Sequence, residues 1–411
     1  MDRKATAGNS GEQTRSDCLV RLRPLQKGGI ILRLESRVGS LFGEQIRQQV
    51  QEVLNGLGIC HAEVEMEDSG ALPFVIAARL EAAVKKLGIG GEPWIPEMIP
   101  GNRYESTKDR FRFTRLYLPG NTPRMMLNAG IHQPDGIILD LEDSVAPDRK
   151  TEAALLVRNA LRQVDFYGAE RMVRINQLPG GLEDLEYIVP HHVHVILIPK
   201  CESPDQVRQV DERVRTILQE AGQDRVIYYM PIIESCLGVE RAFGIATSSD
   251  RVAAMAIGLE DYTADLGVKR TPEGKESLYA RTRLVNACKA AGIQPIDSVF
   301  SDVDDMEGLK VNVLHSRGLG FEGMGCIHPR QVAVIREGFR PREEEIVRAE
   351  EIINAFREAG ARGEGVIAIG SKMIDPPVVR RAWQTMELAY RFGLRSDPGP
   401  SPLQTSETTD Q

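Results

Sequence analysis

The feature that most constrains the fold of this chain is a series of eight short apolar runs, each separated from the next by a stretch of helical periodicity. Strands that alternate with helices form parallel β-α units, and eight units in about 230 residues match a TIM (β/α)8 barrel. The sequence therefore predicts an α/β fold with a TIM barrel, and a doubly wound open sheet is the alternative. The runs are Leu116–Leu118, Gly136–Leu139, Met172–Ile175, Val193–Ile198, Val226–Ile233, Ala253–Ile257, Gln294–Phe300 and Phe321–Ile327.

The 411 residues exceed one compact core, and the patterns on either side of the barrel predict further segments. Upstream, apolar residues at helical spacing between Phe42 and Leu57 and an alternating strand around Val64 predict a small α+β domain. Downstream, two helical patterns predict a C-terminal helical extension, and the polar, Pro- and Ser-rich end is typical of disorder. The predicted boundaries are an α+β domain at 1–90, a linker at 91–111, the barrel at 112–340, an extension or lid at 341–394 and a disordered tail at 395–411.

Composition narrows the class of function. The chain has 51 Lys and Arg against 59 Asp and Glu, a formal charge of −8. It therefore lacks the excess of positive charge that is typical of proteins that bind nucleic acid or an anionic membrane. It contains no run of about 18 apolar residues and no apolar signal-peptide core, which predicts a cytoplasmic protein. Its six cysteines are scattered and form no C-x-x-C site. An enzyme that acts on small molecules is favoured.

Two acidic residues follow neighbouring strands at the barrel face where TIM-barrel chemistry takes place. Glu234 follows the fifth run and Asp261 the sixth, one β-α unit later. Carboxylates are ligands that Mg²⁺ prefers, so the pair predicts a metal site. Each acid alone is also compatible with a salt bridge or a helix cap.

Two basic residues follow the preceding strands. Arg174 ends the third run, where a guanidinium can clamp a substrate carboxylate; pairing with Asp140, Glu142 or Asp143 is the alternative, and both can hold together. Lys200 ends the fourth run and could form a Schiff base. An ordinary ion-paired lysine is favoured, because the carboxylate pair already provides an electrophilic site.

Histidines are weaker candidates. His191, His192 and His194 resemble a metal cluster but precede the fourth strand, on the face opposite the chemistry. His328 follows the eighth run alone, which is typical of a hydrogen-bonded loop residue.

Asp375 precedes two prolines in SKMIDPPVV, where it either caps the next helix or acts as a mobile or neighbour-donated acid/base over the barrel mouth. The loop Gly120–Pro123 opens a helix and is a weak anion-binding candidate.

Residues 112–390 resemble the citrate lyase beta chain within the HpcH/HpaI aldolase and malyl-CoA lyase superfamily. The resemblance rests on LYLPGNTP, ILDLEDSVAPDRK, VRIN, LIPK, IIESCLGVERA, GLEDYTADLGVKRTPEGKESLYAR, AAGIQPIDSVFSD, GFEGMGCIHPRQ and SKMIDPPVVRRA. It implies that Arg174 binds a substrate carboxylate, that Glu234 contacts metal and substrate, that Asp261 is the second metal ligand, and that Asp375 is an acid/base. Where the family has RRSxLFVPG this chain has RFTRLYLPG, so Phe113 replaces an arginine on the thioester side, with Arg112 and Arg115 as possible substitutes.

Residues 1–90 resemble the citrate lyase acyl carrier protein through SDCLVRL, ESRVGSLFGEQIRQQVQEVLNGLG and EDSGALPFVIAARLEAA. That family carries a phosphoribosyl-dephospho-CoA arm on a serine. Arg15 stands at the matching position, so the resemblance leaves three alternatives: attachment at Ser16, attachment at Ser10, or loss of the arm.

Together the resemblances imply a fused carrier and Mg²⁺-dependent carbon-carbon lyase that cleaves a citryl-like acyl thioester into an acetyl-type thioester and a 2-oxo acid. A citrate lyase alpha (transferase) chain would be its partner, and a homotrimer or hexamer its assembly. The alternatives are a malyl-CoA or citramalyl-CoA lyase that uses free CoA thioesters, and a non-catalytic carrier or assembly protein.

Overall fold

The N-terminal region forms a four-stranded sheet covered by two helices. The computed structural model describes residues 3–361, 367–369 and 372–397. The sheet has the order β1-β2-β4-β3, and β4 alternates buried and half-buried residues as its sequence predicts. The first two strands were not predicted, because the polar segment around them masks their short apolar alternation. The elements are β1 (Ala5–Gly8), β2 (Cys18–Pro24), β3 (Ile30–Ser36), α1 (Gly39–Gly56), β4 (Ala62–Asp68) and α2 (Pro73–Lys86).

Eight parallel strands form the barrel. Their order is β11-β10-β9-β8-β7-β6-β5-β12, so the last strand lies beside the first, and a parallel bridge from Asp297 to Met324 joins the two ends of the sheet. The predicted TIM-type barrel is confirmed, and the open-sheet alternative is wrong. The strands are β5 (Thr114–Pro119), β6 (Gly136–Asp140), β7 (Glu170–Arg174), β8 (Val195–Ile198), β9 (Tyr228–Ile233), β10 (Ala254–Ile257), β11 (Gln294–Ile296) and β12 (Met324–Cys326).

Helices follow the strands around the barrel, and inward-facing side chains such as Ile138, Leu197 and Ile232 fill its interior. Among the described residues, no helix has both the length and the apolarity needed to cross a bilayer. The helices are α3 (Pro123–Leu127), α4 (Lys150–Gln163), α5 (Gly181–Ile188), α6 (Pro204–Glu220), α7 (Cys236–Glu240), α8 (Ala242–Ala246), α9 (Leu259–Leu266), α10 (Leu278–Ala291), α11 (Met306–Leu319) and α12 (Arg330–Phe339).

The segment predicted as a linker has little regular structure but is anchored to the barrel. Asn102 is buried and donates through Nδ2 to the carbonyl oxygens of Leu161 and Val164, at 3.0 and 2.9 Å. The Tyr104 hydroxyl donates to the Ala169 carbonyl. These contacts hold residues 91–111 against the barrel, which Gly, Pro and charge content alone do not reveal.

Residues 1–335 form one compact unit and residues 336–411 a second. Within the second unit, α13 (Glu343–Ala361) and α14 (Pro376–Arg391) share an apolar core, and the short strands β13 (Ile367–Ile369) and β14 (Lys372–Ile374) pair antiparallel. Most of the predicted disordered tail, 398–411, lies outside the described residues. The domain boundaries given above stay a prediction.

Candidate functional site

A cavity of about 510 Å³ opens where the barrel strands end. Arg174, Glu234 and Asp261, the three barrel residues predicted for the site, all line it. They come together because β9 and β10 pair in parallel and the β7 strand ends at the same face. Tyr117, Asp140 and other residues complete the wall.

Glu234 is buried directly after β9. Its Oε1 accepts a hydrogen bond of 2.6 Å from the backbone N–H of Lys200, which has a left-handed φ of 47° that turns this N–H toward the carboxylate. Burial raises the pKa of Glu234 to about 8; the nearby charges of Glu142 and Asp261 raise it further, against the Lys200 hydrogen bond and Arg174. The Glu234 carboxylate therefore lies in a region of negative electrostatic potential.

Asp261 lies in the first turn of α9, half-buried, one turn beyond the strand end where the sequence placed it. Gly258 precedes α9 and packs tightly on Glu234. A Cβ at this glycine would lie 2.9 Å from the Glu234 Cβ and closer still to Oε2. Gly258 is a site residue that the sequence did not single out, because its role depends on a neighbour on another strand.

Arg174 is paired with acids of the neighbouring loop. Its Nε and Nη2 donate to the two carboxylate oxygens of Asp140, at 2.6 and 2.8 Å, and Nη1 lies 2.9 Å from Oε2 of Glu142. Burial acts to raise the pKa of Asp140, but the hydrogen bonds and charge of Arg174 lower it overall. The pairing alternative is thus present in the structure. A guanidinium has five N–H donors, so Arg174 also retains donors for a ligand.

Lys200 is ion-paired. Its Nζ lies 3.3 Å from Glu142 and 3.8 Å from Asp143. Burial acts to lower the pKa of Lys200, but the charges of Glu142 and Asp143 raise it overall. A protonated amine does not attack a carbonyl, so this environment favours the ion-paired role over a Schiff base.

The acidic residues of the cavity fit a divalent cation. Among the described residues, Glu234 and Asp261 make no salt bridge, whereas both carboxylate oxygens of Glu142 are ion-paired, Oε2 with Arg174 and Oε1 with Lys200. No group of three or more His, Cys, Asp or Glu side chains with metal-binding geometry occurs in the described part of the chain. Two carboxylates completed by water or substrate oxygens are the usual way that Mg²⁺ is held. The residues present therefore suit Mg²⁺.

Two further candidates, Asp375 and Ser16, belong to other parts of the chain. The Asp375 carboxylate accepts from the Val378 backbone N–H and caps α14 in the C-terminal unit. Ser16 lies on the loop between β1 and β2, beside Asp17, whose carboxylate binds Arg79 through two hydrogen bonds of 2.9 Å. Arg79 also donates to the Asn121 carbonyl in the loop after β5, so the Ser16 loop is tied to the mouth side of the barrel.

Of the two arginines considered for the thioester side, Arg115 lines the cavity and Arg112 does not. Arg112 is buried and makes a salt bridge of 2.8 Å with Glu170 at the start of β7, which is the opposite end of the barrel. His194 lies at the same end and accepts from the Arg171 backbone N–H. His328 accepts through Nδ1 from the Arg330 backbone N–H, as expected for a loop residue.

Comparisons with known proteins identify the families that the two parts of the chain resemble. The family described as HpcH/HpaI aldolase/citrate lyase matches residues 114–329, and the family described as malonate decarboxylase delta subunit (MdcD), an acyl carrier family, matches residues 3–87. The predicted fusion of a carrier-like domain with a lyase barrel is thereby confirmed.

Individual relatives are similar over nearly their whole length. Citrate lyase subunit beta of Leuconostoc mesenteroides subsp. cremoris is 39% identical over 71% of this chain and 97% of its own. The mitochondrial citramalyl-CoA lyase of Homo sapiens is 32% identical over 71% and 90%. The crystal structure of CitE from Mycobacterium tuberculosis with magnesium, acetoacetate and coenzyme A has a TM-score of 0.57 and 27% identity, over 69% and 99%. The chain belongs to the HpcH/HpaI aldolase/citrate lyase family and is a lyase.

Proposed function

We propose that the chain is a Mg²⁺-dependent carbon-carbon lyase that cleaves a 3-hydroxy-3-carboxy acyl thioester, citryl-like, to an acetyl-type thioester and a 2-oxo acid such as oxaloacetate. The observation that carries the proposal is the pair of carboxylates Glu234 and Asp261, which make no salt bridge within the described part of the chain and share one cavity with Arg174. The similarity to citrate lyase subunit beta supports the substrate class.

Each residue has a proposed role. Glu234 and Asp261 would hold Mg²⁺, which when bound supplies electrophilic stabilisation of negative charge on the substrate's oxygen. Arg174, oriented by its two bonds to Asp140, would bind a substrate carboxylate through its remaining N–H donors. The substrate hydroxyl gives its proton to a base, the bond between its carbon and the carbon next to the thioester breaks, and the electron pair stays on the latter carbon. Asp375 is the proposed donor of the proton that this carbon then takes up.

Metal removal tests the mechanism. Citryl-CoA cleavage, followed by oxaloacetate release, is expected to be lost on chelation and restored by Mg²⁺. Glu234→Gln and Asp261→Asn are each expected to lower kcat/KM by about 10³-fold, a loss in the range of removing a main electrostatic stabiliser. Persistence of cleavage after chelation, with a borohydride-trapped adduct on Lys200, would show that the reaction runs through a Schiff base instead.

Carrier use and assembly are further parts of the proposal. The match of residues 3–87 to an acyl carrier family supports a phosphoribosyl-dephospho-CoA arm, for which Ser16 is the proposed site. Intact mass of the protein co-expressed with its modifying enzymes should show the adduct, and Ser16→Ala should lack it. We also propose a cytoplasmic homotrimer or hexamer that works with a citrate lyase alpha chain.

A second candidate is a lyase that acts on free citramalyl-CoA or malyl-CoA. Two observations favour it: the similarity to human citramalyl-CoA lyase, and Arg15 in place of the serine that the carrier resemblance expects. An unmodified N-terminal domain together with full turnover of free CoA thioesters would select this candidate.

A further inference from the structure

A buried arginine inside the barrel has no acidic partner among the residues that the structure describes. Arg115 lies in β5 and is 1% exposed, and its side chain points inward, where Nη1 lies 3.0 Å from the sulfur of Met230. Its Nε has no hydrogen-bond partner in the described part of the chain. The same side chain lines the cavity that contains Glu234 and Asp261.

Four other buried arginines of the described chain differ from Arg115 in this respect, whereas Arg171, at the opposite end of the barrel, also makes no salt bridge but does not line the cavity. Arg79, Arg112, Arg158 and Arg281 each make a salt bridge with a buried carboxylate. Within the described residues, no carboxylate lies within salt-bridge distance of Arg115. Burial lowers the pKa of Arg115 to about 10, which still leaves the guanidinium charged at neutral pH. An unpaired buried cation is costly, so a protein that keeps one gains free energy when an anion binds there.

The cavity is therefore polarised along its depth. Its mouth carries an excess of carboxylates suited to a cation, whereas its interior carries an unneutralised cation. Tyr117 lies two residues after Arg115 on the same strand, between the interior and the mouth of the cavity. Its ring lies 5.4 Å from the Arg174 guanidinium, and its hydroxyl interacts electrostatically with both arginines. A ligand that suits this arrangement has oxygen ligands for the metal at one end and a second negative group at the other.

We propose that Arg115 binds the second carboxylate of the substrate and so selects thioesters whose oxo-acid half is a dicarboxylate. This inference rests on the proposed function, and it decides between its two candidates. Citryl-CoA and citramalyl-CoA differ at one substituent of the hydroxyl-bearing carbon, a carboxymethyl group in the first and a methyl group in the second. Arg115 recognises the carboxymethyl group.

The test compares these two substrates in wild type, Arg115→Met, Arg115→Lys and Met230→Leu. Arg115→Met should lower the ratio of kcat/KM for citryl-CoA over citramalyl-CoA by about 100-fold, as expected when one partner of a buried charge pair is truncated. Arg115→Lys keeps the charge and should retain most of the preference. Met230→Leu changes the neighbouring side chain without changing charge and should leave the ratio unchanged.

Two further measurements separate this inference from the proposed function. Calorimetric titration with oxaloacetate and with pyruvate, in the presence of Mg²⁺, should show that only oxaloacetate binding weakens in Arg115→Met. Without ligand, Arg115→Met should unfold at a temperature no lower than wild type, because it removes an unpaired buried charge. If wild type cleaves neither thioester, the proposed function fails, and the titrations alone then support or overturn the role of Arg115. If wild type cleaves citryl-CoA and Arg115→Met keeps both the ratio and the oxaloacetate affinity, the inference is overturned while the function stands.

Discussion

At the scale of single residues, the position of Glu234 depends on the absence of a side chain at Gly258. The carboxylate is held from one side by the Lys200 backbone N–H and fits against Gly258 on the other. The φ of Gly258 is −105°, which any residue adopts, so a substitution there acts through contact and not through backbone strain. The space next to the carboxylate is what requires glycine.

Gly258→Ala is therefore expected to displace the Glu234 carboxylate and to lower kcat/KM by about 100-fold, since misplacement of about 1 Å at a reacting centre has an effect of that order. Steady-state kinetics at saturating Mg²⁺ measures it. Gly318→Ala is the matched control, because a Cβ at Gly318 in α11 meets nothing within 4 Å. Equal activity of both variants and wild type would contradict the tight packing at Gly258.

At the scale of elements, the carrier-like domain is joined to the barrel by buried ion pairs. Every residue of α2 from Phe74 to Val84 is buried, because this helix packs on its own sheet and on α4 of the barrel. Arg79 binds Asp17 within the domain and lies 3.4 Å from Glu152 of α4. Arg158 of α4 makes a salt bridge of 2.6 Å with Glu81. The domain is thus part of one folded unit with the barrel.

Arg79→Met should destabilise the protein by about 3–5 kcal/mol, because it leaves Asp17 and Glu152 buried with less compensation. Urea unfolding measures the change. The control is Arg208→Ala, which removes an exposed pair with Asp205 and should cost less than about 1 kcal/mol. A cost for Arg79→Met as small as that of the control would mean that the network does not join the two domains energetically.

At the scale of the whole molecule, the two ends of the barrel differ in function. The mouth carries the charged site, whereas the opposite end carries His191 and His194, whose pKa values burial lowers to about 3, with neighbouring arginines lowering them further. Both imidazoles are therefore neutral in the folded protein at neutral pH. The Arg171 N–H donates to Nδ1 of His194, so Nε2 carries the proton and donates to the Tyr104 carbonyl.

Because these folded pKa values lie below the ordinary 6.5, the unfolded chain binds more protons than the folded protein at pH values between them. Their stability contribution is complete above pH 6.5 and decreases as pH falls toward 3, by up to about 1.4 kcal/mol per pH unit for each histidine. Urea midpoints measured from pH 7.5 to 4.5 should fall accordingly, and His194→Gln should reduce the slope. A slope unchanged in His194→Gln would contradict a buried neutral imidazole at this position.

The sequence by itself determined the eight strands, their helices and the end of the barrel that carries Arg174, Glu234 and Asp261. Such features follow from local periodicity and from the common direction of parallel strands, which neighbouring residues encode. Only the tertiary structure decided which charges are compensated: Arg174 is paired with Asp140, Arg112 is paired with Glu170 far from the mouth, and Arg115 has no carboxylate partner among the described residues. Charge pairing, like the anchoring of residues 91–111, depends on groups that are distant along the chain. Local sequence patterns do not show which of these groups meet in the folded protein.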